Sequence, residues 1–324
     1  MKTYDVIERY IVYRRSLGEK YTTSAYILRQ YYNYIGKDFD FAKITEAMNM
    51  DYLYRGGKKT VTSGWFNKFS VLKGLFQWAY PRLLISTIPL PEHPPKRGEH
   101  SLPYVYTNEE LKRVFHIAEN LPCCESKNCT LYGKCLSVFL KLTYVLGLRS
   151  RETISLKLKD LDFEQNFVLI NESKFYKSRR VPFNHQVKIF LQEYLKWRKS
   201  VSMPEHGEAP LFYKKDGKPE TVARMRYFFK KVRNLADIKR TDKSFHQPRI
   251  HDLRGTFAVH RLTAWYKEGR NVNDLLPFLS TFLGHDRLVH TQVYLTMTEE
   301  LFCEANKKFE EYIKLNIELS LIHI

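Results

Sequence analysis

The sequence predicts a mainly α-helical protein with a small β-sheet, arranged as an N-terminal helical domain and a C-terminal mixed α/β domain. Three observations carry this. Apolar residues recur at three- and four-residue spacing through most of residues 4–80. A proline-rich stretch then interrupts the pattern between 86 and 103. Beyond it, long helical patterns resume around one short strand and its return at 167–182. The expected boundaries are 1–85 for the helical domain, 86–103 for a linker and 104–324 for the mixed domain.

Taken in order, Tyr4 to Leu17 and Ser24 to Ile35 are amphipathic helices, the second closed by Gly36 as a C-cap. A further helix falls between Ala42 and Tyr54. Thr62 to Tyr80 is the plainest, with Trp65, Phe66, Phe69, Leu72, Leu75, Phe76 and Trp78 on its apolar positions. Aromatics and cations interleave around Arg29, Tyr31, Tyr32, Tyr34 and Lys37. That pattern suits a phosphate-facing surface, but a bundle core uses most such aromatics, because they bury so much area. Pro89, Pro91, Pro94, Pro95 and Pro103 remove backbone donors and favour extended chain, hence the linker. Thr107 with Glu110 three residues on is a capping box that starts the next helix.

In the second domain Leu136 to Leu146 is an apolar helix, Phe167 to Ile170 a strand, and Ser173 to Pro182 the turn and return of a hairpin. Helices are expected near 184–200, 219–236, 252–264, 271–283 and 299–315.

The chain of 324 residues carries 53 Lys and Arg against 35 Asp and Glu, a net charge of +18. Such a balance points to a polyanionic partner. The excess is shared: residues 1–100 carry +7 and the remainder +11. That fits two domains gripping a phosphate backbone better than one domain with a basic tail. An anionic membrane surface is the rival partner. No run approaches the roughly 18 apolar residues a spanning helix needs, and residues 1–9 lack a signal-peptide apolar run. The expected location is therefore the cytoplasm. Five cysteines, an odd number, argue against a secreted disulfide scaffold. The sequence contains neither a Gly-x-x-x-x-Gly-Lys-Ser/Thr loop nor a clustered carboxylate set for two metals.

Three short stretches carry the chemistry. Gly147-Leu148-Arg149-Ser150-Arg151-Glu152 follows the apolar helix, and Ser150 is placed to cap the next one, with Glu152 in its first turn. His251-Asp252-Leu253-Arg254 sets a histidine and an arginine three residues apart, on one side of a helix. Leu283-Gly284-His285 is followed nine residues later by Tyr294. Guanidinium groups stay charged and present paired donors, so two of them can clamp the charge spread over a phosphodiester under attack.

This ordered set resembles the tyrosine recombinases, the phage-integrase family. The matches are Gly-Leu-Arg-x-x-Glu at Gly147–Glu152, His-x-x-Arg at His251–Arg254, and Leu-Gly-His followed by tyrosine at Leu283–His285 and Tyr294. A basic hairpin ending in Val-Pro, Lys174 to Pro182, lies between the first two. The resemblance spans roughly 105–300. It implies a SAM-like helical core-binding domain, a mixed α/β catalytic domain and a C-shaped clamp around double-stranded DNA. It also implies assembly on DNA as a homo-oligomer, dimer to tetramer, with no cofactor. Tyr294 would be the nucleophile forming a 3′-phosphotyrosine; Arg149, Arg254 and His285 would hold the phosphate; His251 would handle protons. Lys174 would protonate the leaving oxygen, with Lys177 as the alternative. The function implied is site-specific recombination of the integrase or transposase kind. A type IB topoisomerase-like enzyme and a catalytically silent DNA-binding protein are the alternatives.

Several features depart from the pattern. Cys123, Cys124, Cys129 and Cys135 sit in an apparent insertion. Four thiolates suit structural zinc, although the adjacent pair fits C-x₂₋₄-C spacing poorly and free thiols are the other reading. His290 stands where relatives carry Ser or Thr, and Arg151 adds a cation beside Arg149. The apolar end, residues 316–324, is expected either to reach a neighbouring protomer or to pack in cis.

Overall fold

The computed structural model describes residues 1–55, 61–96, 103–122, 130–171, 178–242, 246–296, 303, 306 and 307. The chain divides into two compact units, Met1–His100 and Ser101–Ile324.

The first unit contains four helices: α1 (Thr3–Ser16), α2 (Thr22–Ile35), α3 (Glu46–Tyr54) and α4 (Ser63–Ala79). Each buries the stripe that its periodicity marks. Val6, Ile7, Tyr10 and Ile11 of α1 meet Ala25, Leu28, Tyr31 and Tyr32 of α2 and the Trp65–Phe69–Leu72–Leu75–Phe76 face of α4 in one core. Thr45 and Thr62 cap α3 and α4, their hydroxyls accepting from the Met48 and Trp65 backbone N–H groups. Tyr31 and Tyr32 are core residues, as expected, and Arg29 is engaged in two hydrogen bonds with Glu8 at 2.9 and 3.0 Å. A buried polar knot organises the centre. Tyr31 donates to Asn49 Oδ1, and Asn49 Nδ2 donates to the Pro89 carbonyl at 2.6 Å. Leu90 and Ile85 join the same core. The opening of the proline-rich stretch therefore packs on the helices; extended chain with no donors suits a surface strap as well as a linker.

The second unit begins with α5 (Asn108–Glu119), whose capping box forms as expected: Thr107 N–H donates to Glu110 at 2.9 Å and Glu110 N–H to the Thr107 hydroxyl at 3.2 Å. Then come α6 (Gly133–Val145), α7 (Ser150–Ile154), the strands β1 (Leu161–Asp162), β2 (Phe167–Ile170) and β3 (Arg179–Pro182), and the helices α8 (His185–Ser200), α9 (Val222–Leu235), α10 (Ile250–Lys267), α11 (Val272–Leu283) and α12 (Val289–Gln292). The strands pair antiparallel in the order β1-β2-β3, with Val168 opposite Val181 and Ile170 opposite Arg179. Val168, Ile170 and Val181 turn inward, onto the core that surrounds α6. Helix α6 is apolar nearly all round and buried on most sides, so it serves as the central pillar against which α5 and α10 pack.

Of the four cysteines considered for zinc, Cys123, Cys124 and Cys129 lie outside the described residues. Cys135 lies in α6 with its Sγ 3.2 Å from the Tyr194 hydroxyl and its side chain fully buried. Burial pushes its thiol up to about 11, which opposes the thiolate a zinc ligand needs. Cys135 is thus a core residue. Residues 172–177, expected from the sequence to form the turn of the hairpin, and residues 308–324 also fall outside the described residues. Among the described residues, no helix is long and apolar enough to cross a membrane.

Candidate active site

Helix α6 ends at Val145 with Leu146 as its C-cap, and Gly147 turns the chain with φ +55°. A Cβ here would lie 2.8 Å from both Leu283 Cδ2 and Phe257 Cδ1, so only glycine permits both the turn and the approach of α10 and α11. Arg149 follows as the N-cap of α7. The cap is therefore Arg149, not Ser150, which occupies the first helical position. The reason is Glu152, whose carboxylate reaches back to accept the Arg149 backbone N–H at 2.9 Å and leaves no vacancy for a serine hydroxyl. The same carboxylate accepts from Arg149 Nη1 at 2.7 Å, while Nη2 donates to the Gly284 carbonyl at 2.7 Å.

Arg254 comes from α10 and is 1% exposed. Its Nη1 donates to the Gly147 carbonyl at 2.7 Å and its Nη2 to the Leu283 carbonyl at 2.6 Å. Burial, reinforced by the Arg149 charge, lowers its pKa to about 10, still protonated at neutral pH. One buried guanidinium thus joins the turn after α6 to the end of α11.

Arg179 of β3 completes the frame. It meets both Glu152 oxygens and donates from Nε to the Phe282 carbonyl at 3.1 Å. Burial works against ionisation of Glu152, but hydrogen bonds from Arg179 and Arg149 and their charges hold its carboxyl down at about 2. Helix α11 closes on Gly284 at φ +68°, where a Cβ would sit 2.8 Å from Arg179 Nη1. The Gly284 and Leu283 carbonyls, freed at this helix end, are the acceptors that receive Arg149 and Arg254.

His285 and Tyr294 lie beside this frame. His285 Nδ1 is 2.8 Å from the Thr291 hydroxyl, and its ring lies nearly parallel to Tyr294 with centroids 6.2 Å apart. Burial, then the Arg254 and Arg149 charges, lower the His285 pKa to about 3. Tyr294, 8% exposed, packs with Ala258, Val259 and Leu262 of α10. Its ring passes over Gly255, where a Cβ would come to 3.5 Å from Cε1. His251, one turn before Arg254, is exposed at the start of α10; crowding by the surrounding protein and the Arg254 charge lower its pKa. His290 pairs with Asp286 at 2.9 Å, 6.1 Å from the His285 ring, and Arg151 is exposed.

The structure thus brings Arg149, Arg254, His285 and Tyr294 together, with His251 within electrostatic reach of both arginines. Lys174 and Lys177 lie outside the described residues. Sequence reasoning missed Arg179 and Thr291. The first reads as one more cation in a basic hairpin, and its position three before Pro182 is the only local signal. The second reads as a helix threonine with nothing to mark it.

Residues 105–300 match the phage integrase family. The chain belongs to that family, the tyrosine recombinases. The integrase/recombinase y4rB of Sinorhizobium fredii is 31% identical over 312 residues, which cover 94% of this chain and 96% of that protein. The tyrosine recombinase XerC of Lactobacillus delbrueckii subsp. bulgaricus is 28% identical over 75% of each chain. Among solved structures, the Tn1549 transposon integrase in complex with transposon right end DNA shares the fold with TM-score 0.67 at 17% identity, over 96% of this chain and 99% of that one. In this recombinase every residue of the arginine, histidine and tyrosine cluster falls inside the matched region.

Proposed function

We propose that this tyrosine recombinase cuts and rejoins double-stranded DNA at a specific site through a 3′-phosphotyrosine on Tyr294. The observation that carries the reading is the charge of the buried frame. Arg149 and Arg179 both bond one carboxylate, Glu152, and Arg254 feels the same charge without touching it, so three guanidiniums share one acid and the surplus positive charge calls for an anion beside Tyr294. A scissile phosphate supplies it.

In this reading Arg149, Arg254 and His285 take the non-bridging oxygens, and their donors stabilise the charge that grows as the tyrosine oxygen adds to phosphorus. The attacking hydroxyl must give up its proton as it bonds, and His251, its pKa lowered by its surroundings and the Arg254 charge, takes it as a neutral imidazole. The leaving 5′-oxygen takes a proton from Lys174, or from Lys177. The P–O bond lost is replaced by the tyrosyl P–O bond, so the 5′-hydroxyl of a second strand can reverse the step with no outside energy source. Residues 1–85 act as the core-binding DNA domain, which accords with their +7 share of the charge. The protein works as a homo-oligomer on DNA in the cytoplasm.

Covalent trapping tests this. Nicked suicide duplexes built from the ends of the parent element should give a 3′-phosphate adduct with the wild type and none with Tyr294→Phe. Tight binding without any adduct would leave only a DNA-binding role.

A further inference from the structure

His285 is surrounded by cations, and its ring is neutral at physiological pH because burial and the Arg254 and Arg149 charges oppose protonation. A neutral imidazole carries one N–H and one bare nitrogen. Only one of its two tautomers can donate to a phosphate oxygen. Something must decide which nitrogen keeps the proton.

The neighbour that decides is Thr291. Its side chain is fully buried in α12, and its hydroxyl lies 2.8 Å from His285 Nδ1. Among the described residues that hydroxyl has no other hydrogen-bond partner. A buried O–H hydrogen left without an acceptor costs about 1–3 kcal/mol. Were Nδ1 protonated, it would donate to the threonine oxygen and strand the hydroxyl hydrogen in the interior. With Nδ1 bare, the hydroxyl donates to it and both groups are satisfied. The second arrangement leaves the proton on Nε2, the ring nitrogen away from Thr291.

We propose that Thr291 is a positioning residue that fixes His285 as its Nε2–H tautomer, so that the ring donates to a non-bridging oxygen of the scissile phosphate. The proposal rests on the reading of His285 as a phosphate ligand. It gives α12 a task. This four-residue helix carries the buried hydroxyl at Thr291 and leads directly into the turn that bears Tyr294, so the histidine donor and the nucleophile are set by one short segment. The Thr291 N–H donates to the Leu288 carbonyl at 2.8 Å, which holds the backbone while the side chain holds the ring.

The test uses the full chain with ¹⁵N-labelled histidine, the His285 signals being assigned by their loss in His285→Gln. In the wild type, long-range ¹H–¹⁵N spectra should show His285 protonated on Nε2, with Nδ1 unprotonated and shifted by an accepted hydrogen bond. Thr291→Val keeps the volume and removes the hydroxyl; the hydrogen-bond shift on Nδ1 should vanish. Cleavage of the suicide duplex should fall about tenfold, the low end of what losing an outer partner of a metal-ligating histidine costs. Thr291→Ser should retain both the shift and the rate. A wild-type ring protonated on Nδ1 overturns the proposal, as does a Thr291→Val protein that cleaves at the wild-type rate, or a Thr291→Ser protein as slow as Thr291→Val. An adduct that persists in Tyr294→Phe overturns the underlying catalytic reading instead, and the histidine spectrum separates the two failures.

Discussion

Arg179 holds Glu152 by two parallel hydrogen bonds, Nη1 to Oε1 at 3.1 Å and Nη2 to Oε2 at 2.9 Å. Both side chains are largely buried, and the fork geometry matches each guanidinium nitrogen to one carboxylate oxygen. The pair connects the strand β3 to the turn that carries Arg149, and through the Phe282 carbonyl to the end of α11. The positions of two further arginines therefore depend on a residue that need not touch substrate.

Glu152→Gln should destabilise the protein by about 3 kcal/mol, since it leaves the buried Arg179 guanidinium and the half-buried Arg149 guanidinium without their ion-pair partner. The readout is the urea midpoint of unfolding. Arg179→Lys keeps the charge but cannot fork, so it should fall between the wild type and Glu152→Gln. Equal midpoints for all three proteins would mean the pair contributes nothing to the frame.

Gly147→Ala should cost about 3 kcal/mol. Left-handed backbone penalises a Cβ by roughly 1–2 kcal/mol, and pressing that atom against Leu283 and Phe257 adds an overpacking cost of similar size. Because the Gly147 carbonyl receives Arg254, adduct formation should fall as well, even at temperatures where the variant stays folded. A thermal midpoint unchanged by the substitution would contradict the tight contact.

Acid should weaken the fold in two stages. Folded His285 takes up its proton only near about 3, against 6.5 for an ordinary histidine, so between those values the unfolded chain binds more protons. Its contribution is complete above about 6.5 and declines as the pH falls towards 3. His251, shifted in the same direction, adds to this loss. Glu152 follows lower down, its stabilising charge being lost from about 4.5 towards 2. Urea midpoints at pH 7, 5.5 and 4.5 should therefore drop steadily, and His285→Gln should show a shallower drop over that span. A slope identical to the wild type would place the acid sensitivity elsewhere.

The parts of the molecule written in periodic apolar spacing were legible from the sequence. Trp65, Phe69, Leu72 and Phe76 mark α4 because helical burial repeats every three or four residues, and Thr107 with Glu110 marks a start because that pair satisfies two orphan N–H groups. Arg149, Arg254, His285 and Tyr294 were legible as an ordered set, not as single residues. What escaped was set by long-range contact. Leu161–Asp162 is too short to alternate and exists as a strand only because β2 lies beside it. Ser150 looked like the cap, yet the acid at Glu152 took that function by reaching back to Arg149. Arg179 and Thr291 are defined by partners far along the chain or by a buried hydroxyl, neither of which leaves a pattern in neighbouring residues.

Arg254→Lys separates charge from geometry at the centre of the site. Arg254 spans the Gly147 and Leu283 carbonyls with two different nitrogens, and on the proposed reading its remaining N–H groups meet the phosphate. A lysine has a single nitrogen at the end of a flexible stem and cannot reach both carbonyls while facing a phosphate. DNA affinity should stay within a few-fold of wild type, because the charge is kept and many other phosphates are contacted. Adduct formation should fall about 100- to 1,000-fold, the scale of losing one preorganised donor to a developing oxyanion. Filter binding and suicide-duplex cleavage on the same preparation measure the two quantities together. Parallel losses in both would make Arg254 a general DNA contact; a loss confined to cleavage identifies it as a group whose fixed direction matters when the phosphate charge grows.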